Sequence, residues 1–561
     1  MKHIKKHSYS NIAFVLILLL MCTAVFGATR NVENIPPAEV PERHDVGYVP
    51  VSDPLAIRGV AALASWDLAA ADNVAEQMKT EGKWSSRDAL AFRSRLAFFH
   101  GDYALSSQIY EELNSAYDVK DPEKFGERVK KLAEIMKGVK SFESENFIVR
   151  VTPGPDEILI YDALETLEKA YDILTVDLDV KPTSKVVLEV FPSFESFELA
   201  SGLSEENVET TGTVAVCKFA RLIVTTPRAL MRGYEWRDTI AHEFVHYLIF
   251  LRAGYNCPIW LHEGIAKYEE NRWRNQKGGQ LSPISQSLLA AAIKRNNLIT
   301  FKEMDPSFAL LPSATAGQLA FAEVVYCVKY LVHRGGFKLV LNILDRLRKD
   351  NDYEKAISAE LGEPYPRFMA KWKKFMAQSD LESIEGVDIV GIKIRKTGTR
   401  NEEEEEEPEE EFDENDPADR YSRLGKLLQN EGRDAAALIE YKKALEIQPN
   451  NVYLMNKTAY MHMRLKNFDD AIPLLEKIAH IYPDAFPATY KRLGIIYRHR
   501  RDYEKAKEYF ELSTDINPYD HEVQSALWKI YSELSLEDER LEAQRKLAIL
   551  VPMPTTSGPV R

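Results

Sequence analysis

His242-Glu243-Phe244-Val245-His246 decides how this 561-residue chain reads. On a helix the two histidines stand one turn apart on one face, so both imidazoles can reach a single metal ion. Glu243 lies beside that position and can take a proton from a bound water. The flanks fit a helix. Ile240, Phe244, Tyr247, Leu248 and Leu251 form an apolar stripe, Gly254 is a stop signal, and Pro258 follows.

Downstream runs Pro258-Ile259-Trp260-Leu261-His262-Glu263-Gly264-Ile265-Ala266. A catalytic zinc usually takes three protein ligands and keeps a position for water. Glu263, 17 positions after His246, and its neighbour His262 both qualify as the third ligand. Adjacent side chains on one helix cannot both point at the metal. Trp260 and Leu261 are expected to pack against the core. His-Glu-x-x-His, a short loop, then Pro-x-Trp-Leu-x-Glu-Gly-x-Ala resembles the gluzincin metallopeptidases of the thermolysin-like clan, and among them the bacterial peptidase MA-like domains. The resemblance implies Zn2+ as cofactor, His242, His246 and Glu263 as its ligands, and Glu243 as catalytic base. It also implies endopeptidase or aminopeptidase activity on protein or peptide substrates. The chain departs from the pattern twice. An Asp often found four residues after the third ligand is Lys267 here. Asp238, one turn before His242, is the substitute candidate for accepting an imidazole N–H, against the plainer reading of a helix N-terminal acid. Phe321 occupies the place of an oxyanion-stabilising Tyr, with Tyr326, Tyr330 and His333 close behind it; Tyr326 is the candidate carried forward.

The N-terminus reads as a secretory signal. Lys2, Lys5 and Lys6 precede the apolar run Ile12 to Met21, and Val25-Phe26-Gly27 offers small residues for cleavage near Gly27–Ala28. The expected address is periplasmic or extracellular, or membrane-anchored if the signal is uncleaved, with no stable membrane span after cleavage. Cys217, Cys257 and Cys327 would remain; a disulfide between two of them is open, and no Cys-x-x-Cys pair exists. Net charge is −14, and −17 without the three N-terminal lysines. Residues 401–416 hold twelve acids and no bases, so the rest of the mature chain carries only −5. No basic patch of the nucleic-acid kind stands out.

The organisation expected is a signal peptide over 1–27, a Pro-containing tether over 28–56, a helical segment over 57–140, the peptidase-like domain over 141–381, an acidic disordered linker over 382–418, and repeats over 419–553. In the helical segment, Leu90–Phe99 and Leu105–Leu113 flank a turn at Gly101. Strands are expected at 146–151, 185–191, 213–216 and 222–225, with a helix over 156–174. Pro449, Pro483 and Pro518 recur at spacings of 34 and 35. Gly425, Ala459 and Gly494, then Ala437, Ala471 and Ala506, recur with them. This pattern resembles tetratricopeptide (TPR) repeats, capped by a weaker unit over Val523–Pro552. The fold class is therefore α+β: a thermolysin-like small sheet with metal-bearing helices, flanked by α-helical TPR-like solenoid segments.

Two functions fit. One is an exported zinc metallopeptidase whose repeats recruit a protein partner on their concave face. The other is a non-catalytic TPR scaffold carrying an inactive or structural metal domain. An intact Glu243 favours the first; the missing Asp and Tyr favour the second.

Overall fold

The computed structural model describes residues 49–120, 124–203, 213–305, 307–308, 311–386 and 416–550. The signal peptide, most of the tether and the bulk of the acidic run lie outside these residues.

The N-terminal segment is two helical hairpins and a single helix: α1 (Pro54–Ala64) with α2 (Leu68–Thr80), α3 (Arg87–Phe99) with α4 (Tyr103–Tyr117), then α5 (Phe125–Ile135). The tether ends earlier than its composition suggests. Val49 is buried, and Asp88 accepts hydrogen bonds from the Ser52 and Asp53 amides at 2.6 and 2.7 Å, pinning the approach to α1.

The next elements are β1 (Lys140–Glu143), β2 (Phe147–Val151), α6 (Ile160–Asp177), β3 (Val186–Phe191), α7 (Phe194–Ser201), β4 (Ala215–Lys218) and β5 (Arg221–Thr225). They form one sheet in the order β1-β2-β3-β5-β4. β2, β3 and β5 run parallel, and β1 and β4 pair antiparallel at the two edges. The sheet is buried on both faces by alternation. Leu188, Val190, Leu222 and Val224 join the core shared with the helices that carry His242, His246 and Glu263. Phe191 and Ile223 join the core of the N-terminal helices. Between these apolar positions Glu189 is fully buried, held by Arg150 at 3.1 Å, Arg221 at 3.4 Å and the Tyr103 hydroxyl at 2.7 Å. A charge so buried is tolerated only when paired, and here the pairing joins α4 to the sheet. β1 was not expected from sequence. Its Lys-Ser-Phe-Glu is largely exposed and carries no apolar alternation.

Helices follow: α8 (Trp236–Ala253), α9 (Ile259–Glu269), α10 (Pro283–Arg295), α11 (Phe301–Met304), α12 (Ala314–Leu347, broken at Gly335-Gly336), α13 (Tyr353–Leu361) and α14 (Tyr365–Ala377). Trp260 of α9 stacks on Phe301 with ring centroids 4.1 Å apart, packing as its sequence context suggested. Residues 382–386 do not behave as linker. Ser287 of α10 receives the Ile384 amide at 3.0 Å, and Glu382 meets His480 at 2.9 Å.

The repeats are four helical hairpins: α15 (Pro417–Asn430) with α16 (Asp434–Ile447), α17 (Val452–Arg464) with α18 (Phe468–Ile481), α19 (Pro487–His499) with α20 (Tyr503–Ile516), and α21 (His521–Glu533) with α22 (Glu537–Leu550). Asp416, at the end of the acidic run, caps α15 by accepting the Ala418 amide at 2.7 Å.

The array is docked on the peptidase-like domain. One edge of the solenoid, the loops that carry Pro449, Pro483 and Pro518, lands on it. Asn450 donates to the Glu385 carbonyl at 2.6 Å. Tyr482 and Phe486 pack with Ile284 of α10. The Ile516 carbonyl accepts the Tyr234 amide at 3.2 Å. Tyr519 donates to Asp156 at 2.7 Å, and Lys546 meets Asp162 at 2.9 Å. Gly233 makes this approach possible. Its φ is +77°, and a Cβ there would fall 2.3 Å from the Ile516 carbonyl oxygen.

Candidate metal centre and cleft

α8 places His242 and His246 on one face, with ring centroids 4.6 Å apart. Gly254 ends the helix at φ +64°, and Pro258 caps α9 in extended geometry. α9 then crosses close to α12. A Cβ on Gly264 would lie 2.9 Å from the Val324 carbonyl oxygen, so glycine sets how near the helix sits. That placement brings Glu263 to the histidines. Its Oε2 stands 3.4 Å from His242 Nε2 and 3.5 Å from His246 Nε2. Ligands of one tetrahedral ion at ~2.0–2.2 Å stand about 3.3–3.6 Å from one another. Both Glu263 separations match those of ligands that share one divalent ion. Donor atoms of His242, Glu243 and His246 also lie within 4.8 Å of one another. Glu263, close to both Nε2 atoms, and Glu243, in the same cluster, are thus the two candidates to complete a site with the histidines.

Both rings turn Nδ1 away from this point toward a partner, the arrangement that fixes tautomer and orientation. His242 Nδ1 meets Glu270 Oε2 at 3.1 Å, and Lys267 Nζ holds the other oxygen of Glu270 at 2.7 Å. Glu270 stands two turns beyond Glu263, at the C-cap of α9, a position that does not by itself reveal which histidine it meets. His246 Nδ1 meets His262 Nδ1 at 2.5 Å, and the two rings stack. His262 is thus the partner of a ligand, on the far side of His246 from Glu263. Burial, aided by His246, holds His262 down at about 3. Burial also opposes charge on His242, but Glu263 and Glu270 outweigh it and hold the imidazole up at about 10. Glu243 moves upward because it is buried, against the pull of His246 and His242. The Cys217 amide donates to its carboxyl, and Oε2 has no hydrogen-bond partner.

Two expectations are corrected. Asp238 does not serve a histidine. It accepts from Trp273 Nε1 at 2.7 Å and Arg274 Nε at 2.8 Å, because α8 aims it at the turn after α9. Tyr326 is off the cleft, packed near Phe375 with Lys329 over its ring, while Phe321 lines the cleft wall. Five residues along a helix turn a side chain by about 140°, so Tyr326 points away from the wall that Phe321 lines. The three cysteines 217, 257 and 327 are all unpaired. No helix among the described residues is long and apolar enough to cross a membrane.

The metal centre opens into a cleft of about 1230 Å³ lined by Glu243, edge strand β4, α10, Trp66 of the N-terminal helices and Asp484 and Asp515 of the repeats.

Residues 174–378 match the family model of the Peptidase MA superfamily, and residues 418–451 and 488–520 match the tetratricopeptide repeat. The chain is 27% identical over 130 residues to Protein O-mannosyl-transferase TMTC3 of Homo sapiens, which is 23% of this chain and 14% of that protein. Among solved structures it is similar to MamA AMB-1, with TM-score 0.24 and 20% identity over 26% of this chain and 79% of that one. It is also similar to MamA 41-end from Desulfovibrio magneticus RS-1, with TM-score 0.23 and 24% identity over 24% and 76%.

Proposed function

From a chain that carries a Peptidase MA superfamily domain over residues 174–378, with tetratricopeptide repeats after it, we propose an exported, zinc-dependent peptidase that hydrolyses peptide bonds in its cleft. The observation that carries this is the convergence of two Nε2 atoms on one Glu263 oxygen, with Glu243 buried beside them. His242, His246 and Glu263 would hold the zinc. Bound zinc supplies Lewis acidity toward a water molecule and the scissile carbonyl. Glu243 takes the proton of the attacking water and delivers it to the amine nitrogen as the C–N bond breaks. Its raised affinity for a proton suits that shuttle. Glu270 and His262 keep the two imidazoles aimed. β4 is an edge strand and lines the cleft, so an extended substrate can pair along it. Its Cys217 amide already holds Glu243, which ties the base to the strand. Export rests on the N-terminal sequence alone.

The second reading, a TPR scaffold with a silent metal domain, draws on Phe321. It lines the cleft at the place of a Tyr and has no hydroxyl to stabilise an oxyanion. Metal analysis and turnover of a varied peptide set separate the two. About one zinc per chain is expected, lost in His246→Ala. Glu243→Gln should keep the metal and lose activity by roughly 10²–10⁴-fold. Zinc without turnover in the wild type would select the scaffold; unchanged zinc in His246→Ala would refute the ligand set.

A further inference from the structure

The repeats contribute to the cleft itself. Pro483 and Asp484 lie in the loop between α18 and α19, and Leu512 and Asp515 at the end of α20; all four line the cavity that contains Glu243. Glu243 is about nine-tenths buried or more, with Oε2 unpartnered, and lines the same space. The cleft is strongly acidic. Besides the metal-centre carboxylates it exposes Glu235, Asp238, Glu270, Glu382, Asp484 and Asp515, against Lys267 and Arg274.

Most of these acids are already matched. Asp238 and Asp515 share Arg274, and Asp515 also meets Arg237. Glu270 holds Lys267 and His242, and Glu382 meets His480. Asp484 and Glu235 differ. Among the described residues neither has an ion-pair partner. They face each other across the boundary between repeats and peptidase-like domain, carboxyl to carboxyl. Glu270 and Asp238 add negative charge around them, and Lys267 is the nearby cation, already bound to Glu270. Asp484 is exposed and Glu235 half-buried, so both carboxyls are open to an entering side chain.

We propose that this loop of the repeat array is one wall of the substrate cleft, and that Asp484, with Glu235 facing it, selects a lysine or arginine side chain of the bound peptide. A cation entering between the two carboxyls satisfies both charges. An acidic side chain there would meet unpaired like charge, which costs more than an imperfect fit. The repeats on this account read substrate at the reacting site. The assignment shares with the peptidase reading only the premise that the cleft holds a peptide chain.

The test uses full-length Glu243→Gln protein and labelled decapeptides identical except for a central Lys, Gln or Glu, with binding read by fluorescence anisotropy. The Lys peptide should bind about tenfold more tightly than the Glu peptide, and the ratio should shrink as salt is raised. Asp484→Asn should compress the ratio to about two- to threefold, and Asp484→Lys should invert it. If Asp484→Lys does not fold, Asp484→Asn and the salt series still decide. A ratio near one, or a ratio unmoved by either variant, overturns the assignment. Charge-selective binding with no wild-type turnover would leave it standing and remove the peptidase reading. Turnover without charge preference would do the reverse.

Discussion

Glu270 holds the orientation of His242, so its loss should be felt as metal affinity before it is felt as stability. Glu270→Ala should weaken zinc binding by about 10–100-fold, measured by competition with a chelator. Asp238→Asn should leave zinc affinity unchanged and lower Tm, because Asp238 serves Trp273 and Arg274. Equal affinity losses in the two variants would refute this division of labour. Glu323 gives a second residue-scale prediction. Its side chain is fully buried, Oε1 accepts the Ile299 amide at 2.9 Å, and Oε2 has no partner. Burial raises its pKa from 4.5 to about 8. Between those values the unfolded chain has released a proton that the folded chain keeps. This contribution is therefore full below about 4.5 and is lost as pH rises through about 8. Glu323→Gln removes that dependence. Its Tm should match wild type near pH 5 and exceed it by a few degrees at pH 8.5. A constant Tm difference across pH would contradict the sign worked out here.

At the level of elements, the metal centre depends on where α9 lies against α12. Gly264 permits the approach at Val324, and Glu263 is its immediate neighbour. Gly264→Ala should therefore cost about 1–3 kcal/mol of stability and also reduce zinc occupancy, because α9 must move to accept the methyl group. Denaturant titration with metal analysis checks both. Retained zinc with reduced stability would show that α9 can shift without disturbing its ligand. The histidine pair, the Glu after Trp-Leu and the four main strands were readable from short-range pattern. β1 was not, because an exposed polar edge strand has no apolar signature. Glu270 was not, because nothing in a Glu at the end of a helix announces which histidine it will meet.

Across the whole molecule, a disordered acidic linker was expected to separate the repeats from the peptidase-like domain, and the docking edge joins them. A protease site inserted within 401–416 and then cut should leave the two parts of the chain co-eluting on size exclusion. The Ile516–Tyr234 backbone contact and the Tyr519–Asp156 and Lys546–Asp162 pairs still join them. Gly233→Val, combined with the cut, should release the array, since a side chain there meets the Ile516 carbonyl. Separation of the cut wild-type parts would return the linker to its expected role. The fragment from Pro417 should still fold when expressed alone, because repeat arrays are held by contacts between neighbours.

What the sequence by itself determined was everything governed by local period. A spacing of four placed two imidazoles on one helix face. Alternation built the sheet, and a spacing of 34 to 35 built the solenoid. What only the tertiary structure decided were the meetings between distant segments. Glu263 rather than His262 reached both histidines, Glu270 rather than Asp238 steadied one of them, and Asp484 came to face Glu235 across the cleft. The physical reason is that periodicity fixes the face on which a side chain stands. Its partner is fixed by how closely helices pack, and here two glycines, Gly233 and Gly264, set that distance.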